Sequence, residues 1–202
     1  MSGKKLRITF NSPFILCFAL ACTLVMLLGL LTGESSTATL FSTYGASWRE
    51  PLTYVRLFTH VLGHAGLIHL INNMAYILLL GPQLEEKYGW KILLLVILAT
   101  ALVTGIIHSI FSPRTMLLGA SGVAFAFILL TSFTEFKEGE IPMTFILVAV
   151  IYLGQQIWEA VAVHDNISNL SHIIGGLVGA GAGYLLNRKN SASSRSYSGY
   201  SS

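Results

Sequence analysis

The sequence carries little charge for its length. Only 10% of its 202 residues are Asp, Glu, Lys or Arg, whereas about a quarter of the residues of an ordinary soluble domain are charged. Hydrophobic residues make up 53% of the chain. A water-soluble core cannot absorb that much apolar sequence, so the shortage of charge excludes an ordinary soluble domain and points to the lipid bilayer as the solvent.

Cysteine is scarce as well. The two cysteines, Cys17 and Cys22, lie in one apolar run. Five residues apart on a helix, they face in different directions, so we expect neither a disulfide nor thiol chemistry. The net charge of +3 is too small and too dispersed to favour nucleic acid, and we expect no such partner.

Long apolar runs fill most of the chain. A helix needs about 20 apolar residues to cross a hydrocarbon layer of ~30 Å. Six runs approach or meet this length: 13–32, 67–84, 91–111, 116–133, 141–162 and 168–187. We therefore predict an all-α fold, a polytopic bundle of six transmembrane helices. The first run follows basic residues, as a secretory signal does, but it is too long and lacks a convincing cleavage site, so we interpret it as an anchor.

Basic residues are unevenly divided between the segments that join these runs. With a cytoplasmic N-terminus, nine Lys and Arg residues lie in inner segments and three in outer ones. This positive-inside bias predicts that both termini are cytoplasmic. We divide the chain into a cytoplasmic N-terminus (1–12), a six-span core (13–188) and a polar tail without structure (189–202). Aromatic and arginine residues in the outer segment 33–66 suit the headgroup layer.

Polar residues within the spans are concentrated at three helix ends. In this topology the second, fourth and sixth spans begin on the outer side, and their first two turns contain the unusual polar residues. These are His69, Asn72, Asn73, Ser121, Ser171 and His172. Because polar groups are costly in hydrocarbon, we expect the three ends to converge at one depth.

Ser121 and His172 form a candidate nucleophile and base. Ser121 lies in Gly119-Ala120-Ser121-Gly122, where small residues allow close approach and the first helical turn leaves backbone N–H groups unpaired. A serine hydroxyl needs a base at ~2.6–3.2 Å to attack at neutral pH. After His172, Gly175 and Gly179 provide a small-residue face that allows close helix packing. The alternative interpretation of both motifs is ordinary small-residue packing.

His69 and Asn73 are candidates for stabilising an oxyanion. At positions i and i+4 they share a helix face, and both can donate hydrogen bonds. Hydrogen bonding between helices is the alternative role. His60, His64 and His69 also suggest a metal site, but they lack a carboxylate or cysteine partner, so we expect no metal.

These motifs together resemble the rhomboid family of intramembrane serine proteases. The resemblance extends over residues 52–187, with Trp48-Arg49 just before them, and rests on short motifs in a specific order. The matching residues are Trp48-Arg49, Arg56-Leu57-Phe58-Thr59-His60, His64, His69, Asn73, Glu85, Gly89, Gly119, Ser121, Gly122, His172, Gly175 and Gly179. Phe125 stands where the family often has a tyrosine that stacks on the histidine.

The resemblance implies a Ser121–His172 dyad without an acidic third member, and an oxyanion site formed by the Ser121 N–H, His69 and Asn73. It also implies cleavage of single-span or other membrane-anchored proteins near the outer surface, with the fifth span as gate and no cofactor. We expect a multi-pass protein of a bacterial-type plasma membrane. Two alternatives stay open: an inactive member of this fold that binds client helices, and an ion-coupled carrier using His69, His108 and Glu159.

Overall fold

The computed structural model describes residues 10–133, residues 143, 146–148, 150, 151 and 154, and residues 166–198, with side chains in the last segment described for 170–186. The named helices are α1 (Pro13–Leu31), α2 (Ser35–Leu40), α3 (Pro51–Thr59), α4 (Leu67–Tyr88), α5 (Trp90–Phe111), α6 (Ser121–Ser132) and α7 (Asn166–Ser198). Apart from one isolated antiparallel bridge, the regular structure of the described part is helical, which confirms the predicted class.

Three helices, α1, α4 and α5, are long and apolar enough to cross a membrane, and α6 and residues 170–186 of α7 are shorter apolar helices. The fourth run was predicted to be helical from residue 116, but α6 begins only at Ser121. Its twelve residues span about 18 Å. The predicted fifth span lies largely outside the described residues, and those described within it are helical.

The C-terminal segment differs from the prediction. We predicted no structure for 189–202, whereas α7 continues to Ser198. Between Gly183 and Gly199 the sequence contains neither glycine nor proline. Since adding a residue to an existing helix costs little compared with nucleating one, the packed part of α7 can propagate into a polar sequence that would not form a helix alone.

Helices α1 and α4 are joined at one end by a carboxylate. The two Glu85 oxygens accept the backbone N–H groups of Phe14 and Ile15 at 3.1 and 3.0 Å. These N–H groups belong to the first turn of α1, which has no partner for them within the helix. Pro13 opens that helix, where its missing N–H costs nothing. The contact fixes the register between the first two long helices.

Helices α6 and α7 touch backbone to backbone. A Cβ atom placed on Gly175 would overlap the backbone of Gly122, and one on Gly179 would overlap that of Ala126. Glycine at both α7 positions therefore lets the helices approach more closely than any side chain would allow. The bundle core beside this contact contains the fully buried Val123 and Phe127.

A buried arginine organises the segment 33–66, which we predicted to lie on the outer side. The Arg56 side chain is 6% exposed, donates from Nε to the Thr39 carbonyl at 2.7 Å and lies 4.6 Å from the centre of the Tyr44 ring. Trp48 and Phe58 remain exposed on this segment. Aromatic rings in such positions suit the headgroup layer, as the sequence suggested.

The segment 33–66 also makes backbone hydrogen bonds to the residues that precede α6. Thr43 and Leu117 exchange two backbone hydrogen bonds of 2.9 and 2.8 Å, and the Gly45 N–H donates to the Pro113 carbonyl at 3.0 Å. Leu117 and Ala120 are buried. Non-helical backbone at membrane depth is tolerated where protein covers it and pairs its polar groups. These contacts explain why α6 starts later than hydropathy predicts.

Candidate active site

Ser121 is the first residue of α6. The turn before it depends on Gly119, whose φ of +126° is rarely adopted by residues with a side chain. A Cβ at Gly119 would also lie 2.6 Å from Cε1 and 2.8 Å from Nε2 of His69. Within the described part of the chain, the Ser121 backbone N–H has no hydrogen-bond partner. The turn thus presents a hydroxyl beside a free backbone donor.

One cavity of about 500 Å³ contains the candidate residues. It is lined by His69, Asn72, Asn73, Tyr76, Ser121, Ala124, Phe125, Ile128, Val148, Ile151 and His172. Helices α4, α6 and α7 therefore contribute polar side chains to the same space, as we expected from the positions of these residues near three helix starts. Among the side chains that line this cavity, none is a carboxylate.

His172 lies in the second turn of α7, half-buried against Phe125. The centres of the two rings are 4.5 Å apart and their planes are inclined by 43°. Phe125 follows Ser121 by one helical turn, so the phenyl ring places the imidazole on the same side of α6 as the hydroxyl. The backbone contact between Gly122 and Gly175 brings the two helices close at this level.

His69 and Asn73 surround Gly119 from α4. The Ala65 N–H donates to Nδ1 of His69 at 3.4 Å, which leaves the proton of the neutral ring on Nε2. Asn73 is 5% exposed, and its Nδ2 has no hydrogen-bond partner within the described part of the protein. A buried amide without a partner costs about 1–3 kcal/mol. Both nitrogens are donors located beside Gly119, two residues before Ser121.

His64 contacts both the residue before Ser121 and the His69 ring. Its Nδ1–H donates to the Leu62 carbonyl at 3.1 Å, and its Nε2 accepts the Ala120 N–H at 3.4 Å. The centres of the His64 and His69 rings are 5.1 Å apart. Burial, reinforced by His69, lowers the pKa of His64 to about 4 against the opposing Leu62 hydrogen bond. The ring is therefore neutral at physiological pH and keeps Nε2 as an acceptor.

The contribution of His60 was not predicted from sequence. Its backbone carbonyl accepts the Gly119 N–H at 2.9 Å, and its Nε2–H donates to the Ala101 carbonyl at 3.0 Å. Burial lowers the pKa of His60 to about 4. The sequence places His60 in a motif that matches the family. A hydrogen bond to its backbone carbonyl, however, does not depend on the type of side chain, so it could not be predicted from the residue.

The remaining polar residues have different positions. His108, which belongs to the carrier alternative, donates from Nε2 to the Thr115 carbonyl at 3.0 Å and so supports the chain before α6. Ser171 is buried. Glu159 and Asp165 lie outside the described residues. No three metal-binding side chains converge within the described ranges.

Comparison with known proteins identifies the relationship. The Rhomboid domain family model matches residues 51–189. Among curated relatives, "RHOMBOID-like protein 6, mitochondrial" of Arabidopsis thaliana is 29% identical over 140 residues, covering 65% of this chain and 43% of that protein. "Rhomboid-related protein 2" of Mus musculus is 30% identical over 158 residues, covering 68% and 52% respectively. "Rhomboid protease GluP" of Bacillus subtilis is 30% identical over 183 residues, covering 86% and 34%.

The chain thus spans between a third and about half of the length of these relatives. The family match covers more than half of the chain itself and includes the residues around the cavity. Together with its long apolar helices, the match makes this an integral membrane protein. The chain belongs to the rhomboid family.

Proposed function

We propose that the protein is a serine endopeptidase that cleaves membrane-anchored proteins within the bilayer, near its outer surface. Membership of a family that includes named proteases supports this at the level of the reaction class. The observation that carries the residue assignment is the shared cavity, which is lined by a serine, a histidine and two donors from α4. Ser121 and His172 are the catalytic residues, and His69 and Asn73 stabilise the transition state.

The reaction begins when Ser121 Oγ attacks the scissile carbonyl carbon and His172 accepts the hydroxyl proton. The carbonyl oxygen becomes negative and accepts hydrogen bonds from the Ser121 N–H, His69 Nε2–H and Asn73 Nδ2–H. When the tetrahedral intermediate collapses, the C–N bond breaks and His172 returns the proton to the leaving amine. Water, deprotonated by His172, then hydrolyses the acyl-enzyme and regenerates the serine.

One supporting residue packs against this dyad. Phe125 stacks on the His172 ring, where the family often has a tyrosine, and holds the imidazole by packing alone. A phenyl ring offers no hydroxyl to orient the histidine further. No carboxylate lines the cavity in the described residues, in keeping with a mechanism in which serine and histidine act without an acidic third member.

The proposed function includes a topology and a substrate class. We infer six spans between residues 13 and 188, with both termini cytoplasmic in a bacterial-type plasma membrane, supported by the nine-to-three division of basic residues. The substrate is a single-span or otherwise anchored protein whose helix unwinds locally to expose a peptide bond. The fifth span and the loop that follows it form the gate for this segment.

The test is cleavage of a tagged single-span substrate by purified protein in vesicles. Ser121→Ala and His172→Ala are each expected to reduce product formation at least ~10³-fold, because the nucleophile and its base act as a unit. Ser132→Ala is the matched control, since it removes a hydroxyl from the other end of α6 that only bonds the Ile128 carbonyl. Equal product from the three variants would contradict the dyad assignment.

A fluorophosphonate probe distinguishes the protease from an inactive member of the fold that binds client helices. The probe forms a covalent bond with an activated serine hydroxyl. Labelling of the wild type that disappears in Ser121→Ala supports the protease. An unlabelled wild type that still binds substrate helices would favour the inactive alternative.

A further inference from the structure

Asn72 is a polar residue in the cavity that the proposed mechanism does not use. It follows Leu67, the first residue of α4, by five residues, and its side chain is exposed and lines the cavity. One residue on a helix corresponds to a rotation of about 100°, so Asn72 faces a different direction from Asn73. Across the described part of the chain, its amide has no hydrogen-bond partner.

The Asn72 amide, which has no hydrogen-bond partner among the described residues, needs an explanation. Polar groups in membrane spans are costly and usually face a cavity, a polar partner or a substrate path. Among the described residues, the Asn72 amide makes no hydrogen bond that would link two helices. The two donors beside Gly119 are already supplied by His69 and Asn73. What remains for Asn72 is a group that enters the cavity from outside the protein.

The cavity wall around Asn72 combines polar and aliphatic side chains. Tyr76, one turn further along α4, is exposed on the same face and likewise lines the cavity. The lining also includes Val148 and Ile151, two aliphatic side chains from the fifth predicted span. A segment that enters this cavity meets the Asn72 amide and the Tyr76 hydroxyl on the α4 side, in addition to Ser121 and His172. Such a wall discriminates between polar and apolar side chains on one face of that segment.

We propose that Asn72 determines substrate specificity by hydrogen bonding to a polar side chain, such as the hydroxyl of Ser or Thr or the amide of Asn or Gln, close to the scissile bond. This inference rests on the proposed function and names the substrates that the site prefers. An amide both donates and accepts, so it pairs with either group. With an aliphatic side chain at that position, the bound segment displaces water from the Asn72 amide without replacing its hydrogen bond, which disfavours binding.

The experiment uses substrate pairs that differ at one position only, with Thr or Val, which have nearly the same shape. The position is scanned along the residues that flank the cleavage site. Affinity is measured by energy transfer between labelled substrate and full-length Ser121→Ala protein in vesicles, so binding is observed without cleavage. The rate of cleavage of the same pairs is measured separately with active protein.

The expected result is a preference for Thr over Val at one position of about fivefold to tenfold, the range of a neutral hydrogen bond. Adding Asn72→Leu should bring the two affinities within about twofold of each other. Asn72→Ala is a second variant with the same expected loss, and thermal melting checks the folding of both. Ile71→Leu is the matched control, because Ile71 is exposed on α4 but is not a cavity residue, and it should keep the preference.

Equal affinity for Thr and Val at every position, or a preference that survives in both Asn72 variants, would overturn the inference. Failure of the proposed function has a different signature. In that case the wild type neither cleaves substrate nor reacts with the fluorophosphonate, while a binding preference that depends on Asn72 would still support the recognition role.

Discussion

Gly119 meets two requirements that no other residue satisfies together. Its φ of +126° belongs to a region that side chains disfavour, and the space where a Cβ would stand is occupied by the His69 ring. The sequence pattern Gly-x-Ser-Gly indicated a close approach at this point, and the structure identifies the neighbour as His69. The free Ser121 N–H and the α4 donors are therefore located around one position.

Asn73 offers a direct test of transition-state stabilisation. Its buried Nδ2 has no partner within the described residues, and a donor used only in the transition state should affect kcat more than KM. Asn73→Ala is expected to lower kcat by about 10²-fold with little change in KM. Gln83→Ala, an exposed position on the same helix, is the control. Unchanged kcat in Asn73→Ala, measured by substrate cleavage, would remove this residue from the oxyanion site.

His64 gives the protein a dependence on pH. Burial, reinforced by His69, lowers its pKa from 6.5 to about 4, so between these values the unfolded chain binds a proton that the folded protein does not. The free energy of unfolding should therefore fall as pH falls through this window. Protonation would also remove the acceptor of the Ala120 N–H.

His64→Gln is expected to reduce that loss of stability, because the variant side chain does not titrate. The measurement is the melting temperature in detergent at several values between about pH 7 and pH 4. Part of the fall should remain, since the pKa of His60 is also lowered to about 4. An identical fall in the variant and the wild type would show that His64 does not contribute to it.

Residue type and spacing were enough to find the side chains that line the cavity. Polar side chains are costly in a membrane span and are usually found there at functional sites. The positions of four such residues are therefore conspicuous in an apolar sequence: Ser121, His172, His69 and Asn73. The supports formed by backbone groups could not be found in the same way. The His60 carbonyl and the Thr43 backbone act through atoms that every residue has.

At the scale of helices, the contact between α6 and α7 brings the two helices close at the level of Ser121 and His172. A side chain at Gly179 would overlap the Ala126 backbone, whereas one at Gly181 would meet open space. Gly179→Leu is expected to destabilise the protein by at least about 1–3 kcal/mol, as overpacking does, and to lower cleavage strongly. Gly181→Leu should stay within about 0.5 kcal/mol of wild type.

Thermal melting and substrate cleavage, measured on both glycine variants, test this prediction. The two positions lie on the same helix and receive the same side chain, so a difference between them reports the contact rather than helix propensity. Comparable losses in both variants would contradict a special role for the α6–α7 contact.

Helix boundaries were predictable where hydropathy and helix propensity agree. The starts of α1 and α4 coincide with the ends of polar segments. The start of α6 was predicted too early, because the buried segment before it is apolar without being helical and pairs with Thr43 instead. The C-terminal end of α7 was also missed, since low-complexity polar sequence gives no sign that a packed helix will extend into it.

For the whole molecule, the proposed topology predicts which loops are accessible from each side. Arg114 and Lys87 are exposed basic residues that lie beyond opposite ends of α5, whose 22 residues span about 33 Å. With Cys17 and Cys22 replaced by serine, Arg114→Cys should react with an impermeant maleimide in intact cells. Lys87→Cys should react only after permeabilisation. The reverse pattern, or equal labelling of both, would contradict a cytoplasmic N-terminus with α5 as the third span.

The bridge between Thr43 and Leu117 has a practical consequence for anyone who shortens the chain. The match to the Rhomboid family model begins at residue 51, yet Thr43, the bridge partner of Leu117, lies upstream of it. A fragment trimmed to that boundary would retain Ser121, His172, His69 and Asn73 but lose the two hydrogen bonds that hold the segment before α6. Its serine would then be chemically intact but poorly aligned, so inactivity of such a fragment would not count against the proposed function.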